Sequence, residues 1–138
     1  MNRLPGQIQQ VETVDELAMV EVALEDTTIW SMLIDSPTTN ILLQTGQELW
    51  VVFKESDVAI STKLETGLSI PNRLRAKIIS IKKGKLLSRI VLDYHGHVLS
   101  AIVPNRSLDL LHLEVGAYIY LLVRINEILL MNKLEHED

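Results

Sequence analysis

The sequence contains no cysteine and only six aromatic residues among its 138. The first absence excludes a disulfide framework, a thiolate metal site and a cysteine nucleophile. The second leaves few rings on which nucleobases could stack. Charge of one sign is also short, with 13 Lys and Arg against 18 Asp and Glu, a net charge of -5 and a pI near 5.3. Binding a nucleic-acid backbone depends on clustered cations that neutralise phosphates, so the acidic balance and the lack of a basic arm argue against it. No apolar run approaches the roughly 20 residues that span a bilayer, because Lys54 and Arg124 interrupt the longest ones. The opening Met1-Asn2-Arg3-Leu4-Pro5-Gly6 lacks the apolar stretch of a secretory signal. These absences predict a soluble cytoplasmic protein without membrane insertion.

What is abundant is aliphatic: 49 residues are Leu, Ile or Val. The length suits one ordinary domain or two very small ones, and a unit of half this size is marginal unless something else covers its apolar faces. Self-association is therefore expected. The chain also repeats itself at an offset of 70. Asn2-Arg3-Leu4 returns as Asn72-Arg73-Leu74, Leu43 and Gly46 as Leu113 and Gly116, Lys54 as Arg124, and Val58-Ala59-Ile60 as Ile128-Leu129-Leu130. Between these anchors the best match slips to 68 and 69, as polar turns of unequal length would allow. Two copies of one unit follow, 1–66 and 67–138.

Each copy patterns mainly as strand. Val20 to Leu24 and Ile29 to Ile34 flank the polar Glu25-Asp26-Thr27-Thr28, which predicts a hairpin, and Ser88 to Leu92 with Val98 to Val103 form its counterpart around Tyr94-His95-Gly96-His97. Glu48 to Lys54 and Tyr118 to Arg124 are further β-rich runs, each followed by a short apolar one. A short helix is predicted between the third and fourth strands. In the first copy Ser36-Pro37 supplies its start; in the second Asn105 is the expected cap of Arg106 to Leu113. The fold class is thus all-β: two tandem OB-like five-stranded small barrels, each with one short helix.

No catalytic constellation is present: there is no Gly-rich phosphate loop, no metal-ligand pair at helical spacing and no nucleophile elbow. His95 and His97 could share a strand face and bind a metal, but without partner ligands they suit a solvated turn. Both copies do carry groups suited to a small anion. Each predicted helix start holds hydroxyls, Ser36 and Thr38 in one copy and Ser107 in the other, beside backbone amides that favour negative charge. A cation, Lys54 or Arg124, occupies the same strand position in both. Helix capping and an edge-strand lysine that discourages aggregation are the commoner reasons for such residues, so the residues alone do not establish an anion site.

Ser69-Ile70-Pro71-Asn72-Arg73-Leu74 resembles the opening of a Mop unit, and Val52-Phe53-Lys54-Glu55-Ser56-Asp57-Val58-Ala59-Ile60 resembles its closing strand. Two such units in tandem resemble the molbindin-type Mop (TOBE-like) proteins. The paired units of the molybdate-responsive regulator and the C-terminal domain of a molybdate transport ATPase are similar. The resemblance implies a protein that is not an enzyme and needs no organic cofactor. It would bind molybdate or tungstate at interfaces between units of a homotrimer, or a dimer, for molybdenum storage or, alternatively, sensing or transport. By position it implies oxyanion contacts from Ser69, Lys54, Ser107 and Arg124, with Ser36 or Thr38 in the first copy. The motif's Arg is Pro71 here and its helix-start Thr is Pro104, which implies unequal sites, the second copy's own pocket being the weaker.

Overall fold

The computed structural model describes residues 1–34, 43–64 and 67–133. Ten strands follow one another: β1 (Asn2–Val14), β2 (Leu17–Ala23), β3 (Thr28–Ile34), β4 (Glu48–Phe53), β5 (Val58–Ser61), β6 (Asn72–Lys83), β7 (Leu87–Tyr94), β8 (His97–Pro104), β9 (Tyr118–Val123) and β10 (Leu129–Asn132). A helix, Asn105–Leu111, joins β8 to β9, and three-residue 3-10 turns at Glu55–Asp57 and Ile125–Glu127 precede β5 and β10. The all-β tandem architecture is as the repeat predicts.

The first strand of each unit is long because it serves two neighbours. Residues Asn2 to Gln7 of β1 pair with β4 and Gln7 to Val14 with β2, the change of partner coinciding with a bulge between Ile8 and Gln10. β6 does the same with β9 and β7, around a bulge between Ile78 and Ser80. A bulge sharpens local twist and re-aims the strand, which is what bends a flat ladder towards a barrel. Alternate residues point inward, so Leu4 and Ile8 of β1 and Leu74, Ala76 and Ile78 of β6 are buried.

These pairings correct one expectation. The hairpins span Leu17↔Ile34 to Ala23↔Thr28 and Leu87↔Pro104 to Tyr94↔His97, and both bulges fall 70 residues apart. The offset of 70 therefore runs unbroken from β1 through β3 of the first copy; the apparent slips come from chance matches between aliphatic residues, which many registers satisfy. Gly46 and Gly116 recur for a backbone reason. Both adopt positive φ, +90° and +93°, and donate to Ile8 O and Ile78 O, a conformation in which any Cβ is strained.

The two sheets exchange their closing strands. The strand orders are β10-β4-β1-β2-β3 and β5-β9-β6-β7-β8. β5, which ends the first repeat, thus completes the second sheet through Val58↔Val123 to Ser61↔Tyr120, while β10 completes the first through Leu129↔Val52 to Asn132↔Leu49. One hydrophobic cluster accordingly runs through both copies, from Leu4 and Phe53 to Leu121 and Ile128.

The recurring Asn of Asn-Arg-Leu fastens this exchange. Asn72 Nδ2 donates to Trp30 O at 2.8 Å while Trp30 N donates to Asn72 Oδ1 at 2.7 Å. Seventy residues away in each partner, Asn2 Nδ2 donates to Ser100 O and Ser100 N to Asn2 Oδ1, at 2.8 and 2.7 Å. Trp30 and Ser100 lie on β3 and β8, the outermost strands of their sheets, where every second residue turns its backbone polar groups away from the neighbouring strand. A carboxamide, one donor and one acceptor, matches such a residue's N–H and C=O. Ser31 adds a further bond across the copies, its Oγ donating to Ile128 O at 2.9 Å.

Candidate functional site

The connector Lys54–Asp57 carries the first copy's chain from its own sheet into the other. Asp57 N donates to Lys54 O at 3.1 Å, closing the turn, and Glu127 N donates to Arg124 O at 3.0 Å in the equivalent place. The same geometry therefore sets both predicted cations at the head of a crossing strand, and both are exposed. Among the described residues neither side chain makes an ion pair or hydrogen bond.

Three clefts surround this connector, and Ser56 lines all of them. The largest, about 320 Å³, lies between β5, β8 and the helix, and Ser56, Ser107 and Pro104 form part of its wall. A second, about 310 Å³, is bordered by Met1, Lys54, Glu55, Ser56 and Ile102. Ile102 belongs to both, so strand exchange sets Lys54 of the first copy beside the wall that carries Ser107 of the second. The third, about 270 Å³, holds Arg124 with Asp57, Glu127 and Ile70. Each is many times the roughly 10–15 Å³ that such a space needs to admit one water, so a small tetrahedral ion would touch only part of any one wall.

Charge distinguishes the clefts. Glu55, beside Lys54, is neutralised from two sides: Arg89 Nη1 lies 2.7 Å from Oε2 and the N-terminal amine 3.3 Å from Oε1. Lys54 thus contributes positive charge that its neighbouring carboxylate does not cancel. Arg124 shares its cleft with two acids, Asp57 and Glu127.

The other predicted site residues fare differently. Ser107 is half-buried within the helix, but the helix start offers less than expected. The cap position is Pro104 rather than Asn105, and no side chain caps the first turn. Asn105 is committed elsewhere: it accepts from Ser88 Oγ, its Nδ2 donates to Gly84 O, and its N–H donates to Leu86 O. Proline brings no N–H of its own and the N–H of Asn105 is taken by Leu86 O, so this end of the helix presents the hydroxyl of Ser107 beside fewer amides than an ordinary helix start. Ser69 is exposed ahead of β6 and does not line any of these clefts, although Ile70 does. Arg73 holds that opening loop, donating to Ile70 O and Leu68 O. Ser36, Thr38 and the helix start they would form lie outside the described residues. Ser56 is the residue that sequence reading missed; its signal was the Lys-x-Ser spacing immediately before the crossing strand.

His95 has a different occupation. Its Nε2 lies 3.0 Å from Asp26 Oδ2, and Tyr94 Oη donates to the same carboxylate. The hydrogen bond to Asp26 raises the pKa of His95. Burial pulls the Asp26 carboxyl upward, but the hydrogen bonds from Tyr94 and His95 outweigh it and hold it below its ordinary value. Burial and then the bond to Asp26 push the Tyr94 phenol up. The trio ties the hairpin turn of one copy to that of the other. Among the described residues no three His, Asp or Glu side chains are grouped so as to hold a metal ion.

The family model described as TOBE domain matches residues 1–60 and again 68–130. A solved structure of the cytoplasmic molybdate-binding protein ModG, in a form with molybdate bound, superposes with a TM-score of 0.87 at 20% identity, over 96% of each chain. No curated relative matches by sequence. Among the described residues no helix is long and apolar enough to cross a membrane.

Proposed function

We propose that this chain, which belongs to the TOBE domain family, binds a tetrahedral oxyanion, molybdate or tungstate, in the clefts around its crossing strands. The observation that carries this reading is the pair of cations, Lys54 and Arg124, set at equivalent connectors and left without partners among the described residues. Lys54 supplies the charge, and Ser56 and Ser107 supply hydroxyl donors from the walls on either side of Ile102. Hydroxyls and one cation suffice for a small dianion even in an acidic chain, because only the local field matters at such range.

The clefts are wide for such a ligand, which favours sites completed by a facing unit of a second chain, as in a trimer or a dimer. Ser69, exposed ahead of β6, would contribute its hydroxyl across such an interface. The Arg124 cleft, with its two acids, is the weaker site. The units are 1–66 and 67–138, the fold they share is that of a protein described as molybdate-binding and cytoplasmic, and the role that follows is storage of the anion in the cytoplasm without bond-making chemistry.

Lys54→Ala is expected to weaken molybdate binding by about 10- to 100-fold, the worth of one hydrogen bond to a charged group, while the chain still assembles. Arg124→Ala should cost less. Titration calorimetry on the two variants checks this, and unchanged affinity in Lys54→Ala would return Lys54 to the status of a surface lysine.

A further inference from the structure

The two connectors differ in one pair of charges. Glu55 stands in the first, and the matching residue of the second is Ile125. The ionic partner of Glu55 is Arg89 on β7, and the residue matching Arg89 in the first copy is Met19 on β2. Acid and base are thus replaced together by apolar side chains in the other copy. The pair belongs to the Lys54 cleft alone.

Glu55 lines that cleft with Lys54, Ser56 and Ile102. Arg89 is paired across the sheet with Ile102, and residues directly opposed on neighbouring strands share a face, so its guanidinium lies at the border of the cleft. The side chain of Arg89 is half-exposed and that of Glu55 largely buried. Arg89 Nη1 lies 2.7 Å from Glu55 Oε2, yet that oxygen accepts no hydrogen bond among the described residues. The contact is one of charge, without the aligned fork that makes an arginine–carboxylate pair strong. Arg89 does donate from Nη2 to Ser100 Oγ, a long bond at 3.3 Å. A guanidinium carries several N–H donors in a fixed fork, so most of them remain open to an anion.

We infer that Arg89 is a second cationic ligand of the Lys54 cleft, and that Glu55 is the internal counter-anion that occupies it until the oxyanion enters. This assignment rests on the proposed function, to which it adds a ligand. A tetrahedral dianion is only half neutralised by Lys54; Arg89 supplies the second charge and parallel N–H groups that match two of its oxygens. Glu55 competes with the ligand for Arg89. It is not left unpaired when Arg89 turns, because its Oε1 faces the N-terminal amine at 3.3 Å.

Titration calorimetry of the full chain with molybdate tests the assignment through opposite signs. Glu55→Gln keeps the size of the side chain and removes the competing charge, and is expected to tighten binding by about three- to tenfold. Arg89→Met, which installs the residue of the other copy, is expected to weaken it by about tenfold or more. Arg89→Lys should recover only part of that loss, since an ammonium lacks the fork. Circular dichroism and native mass confirm that each variant is folded and assembled, and if Arg89→Met is not, Arg89→Lys carries the comparison. A pair that merely braces the connector would weaken binding from whichever side it is broken. That outcome, or unchanged affinity in either Glu55→Gln or the Arg89 variant, would overturn the assignment and leave the proposed function standing. A wild-type chain that binds no molybdate or tungstate would remove both.

Discussion

Produced separately, residues 1–66 and 67–138 are expected to give no folded monomer. Without β10, strand β4 loses its outer partner along Leu49 to Val52, and β5 has no β9 to pair with. The shared cluster would open at Phe53, Val58 and Ile128, each at most 6% exposed in the whole chain. An unpaired edge above an opened core recruits a second chain. Since the copies are equivalent, that chain can donate its own closing strand, so each half should appear as a concentration-dependent dimer or remain unfolded. Light scattering with circular dichroism over a dilution series is the check. A monomer that is folded at the lowest concentration would mean that the closing strand can turn back on its own β4, and that exchange is incidental to stability.

The second large effect concerns a single side chain. Asn72→Ala should destabilise the chain by about 2–4 kcal/mol, because two backbone groups of Trp30 lose their partners and each unsatisfied buried group costs about 1–3 kcal/mol. Asn72 is 1% exposed, so solvent has little access to replace it. Asn2→Ala should behave alike through Ser100, and the double variant should approach the sum, since the two clasps share no residue. Urea denaturation measures the change as a shift in midpoint at constant slope. A loss under about 0.5 kcal/mol for either variant would show that water or another group takes the place of the carboxamide.

The repeat disclosed the all-β tandem architecture because its anchors, Asn-Arg-Leu, the glycines and the closing runs, are where the backbone or a buried contact restricts the residue. The strand exchange was not legible. β5 and β10 are both short, mainly apolar runs of four residues, and an apolar pattern of that length does not say which sheet's edge each one meets. The same ambiguity produced the false slips in register. Asn2 and Asn72 were visible as repeated residues but not as clasps, since their partners lie on another element 98 and 42 residues away. At the candidate site the cations were legible from position. The cap was not: Asn105 is a good cap by type, yet its side chain is taken by Ser88 and Gly84.

The central claim is that an oxyanion binds at the clefts beside the crossing strands. Titration calorimetry of the assembled wild-type chain with molybdate, with sulfate as the control anion, addresses it most directly. Saturable binding of molybdate at micromolar concentrations is the predicted result, with fewer strong sites than cations at the connectors because Arg124 shares its cleft with Asp57 and Glu127. An assembled, folded protein that takes up no molybdate or tungstate at those concentrations would contradict the account.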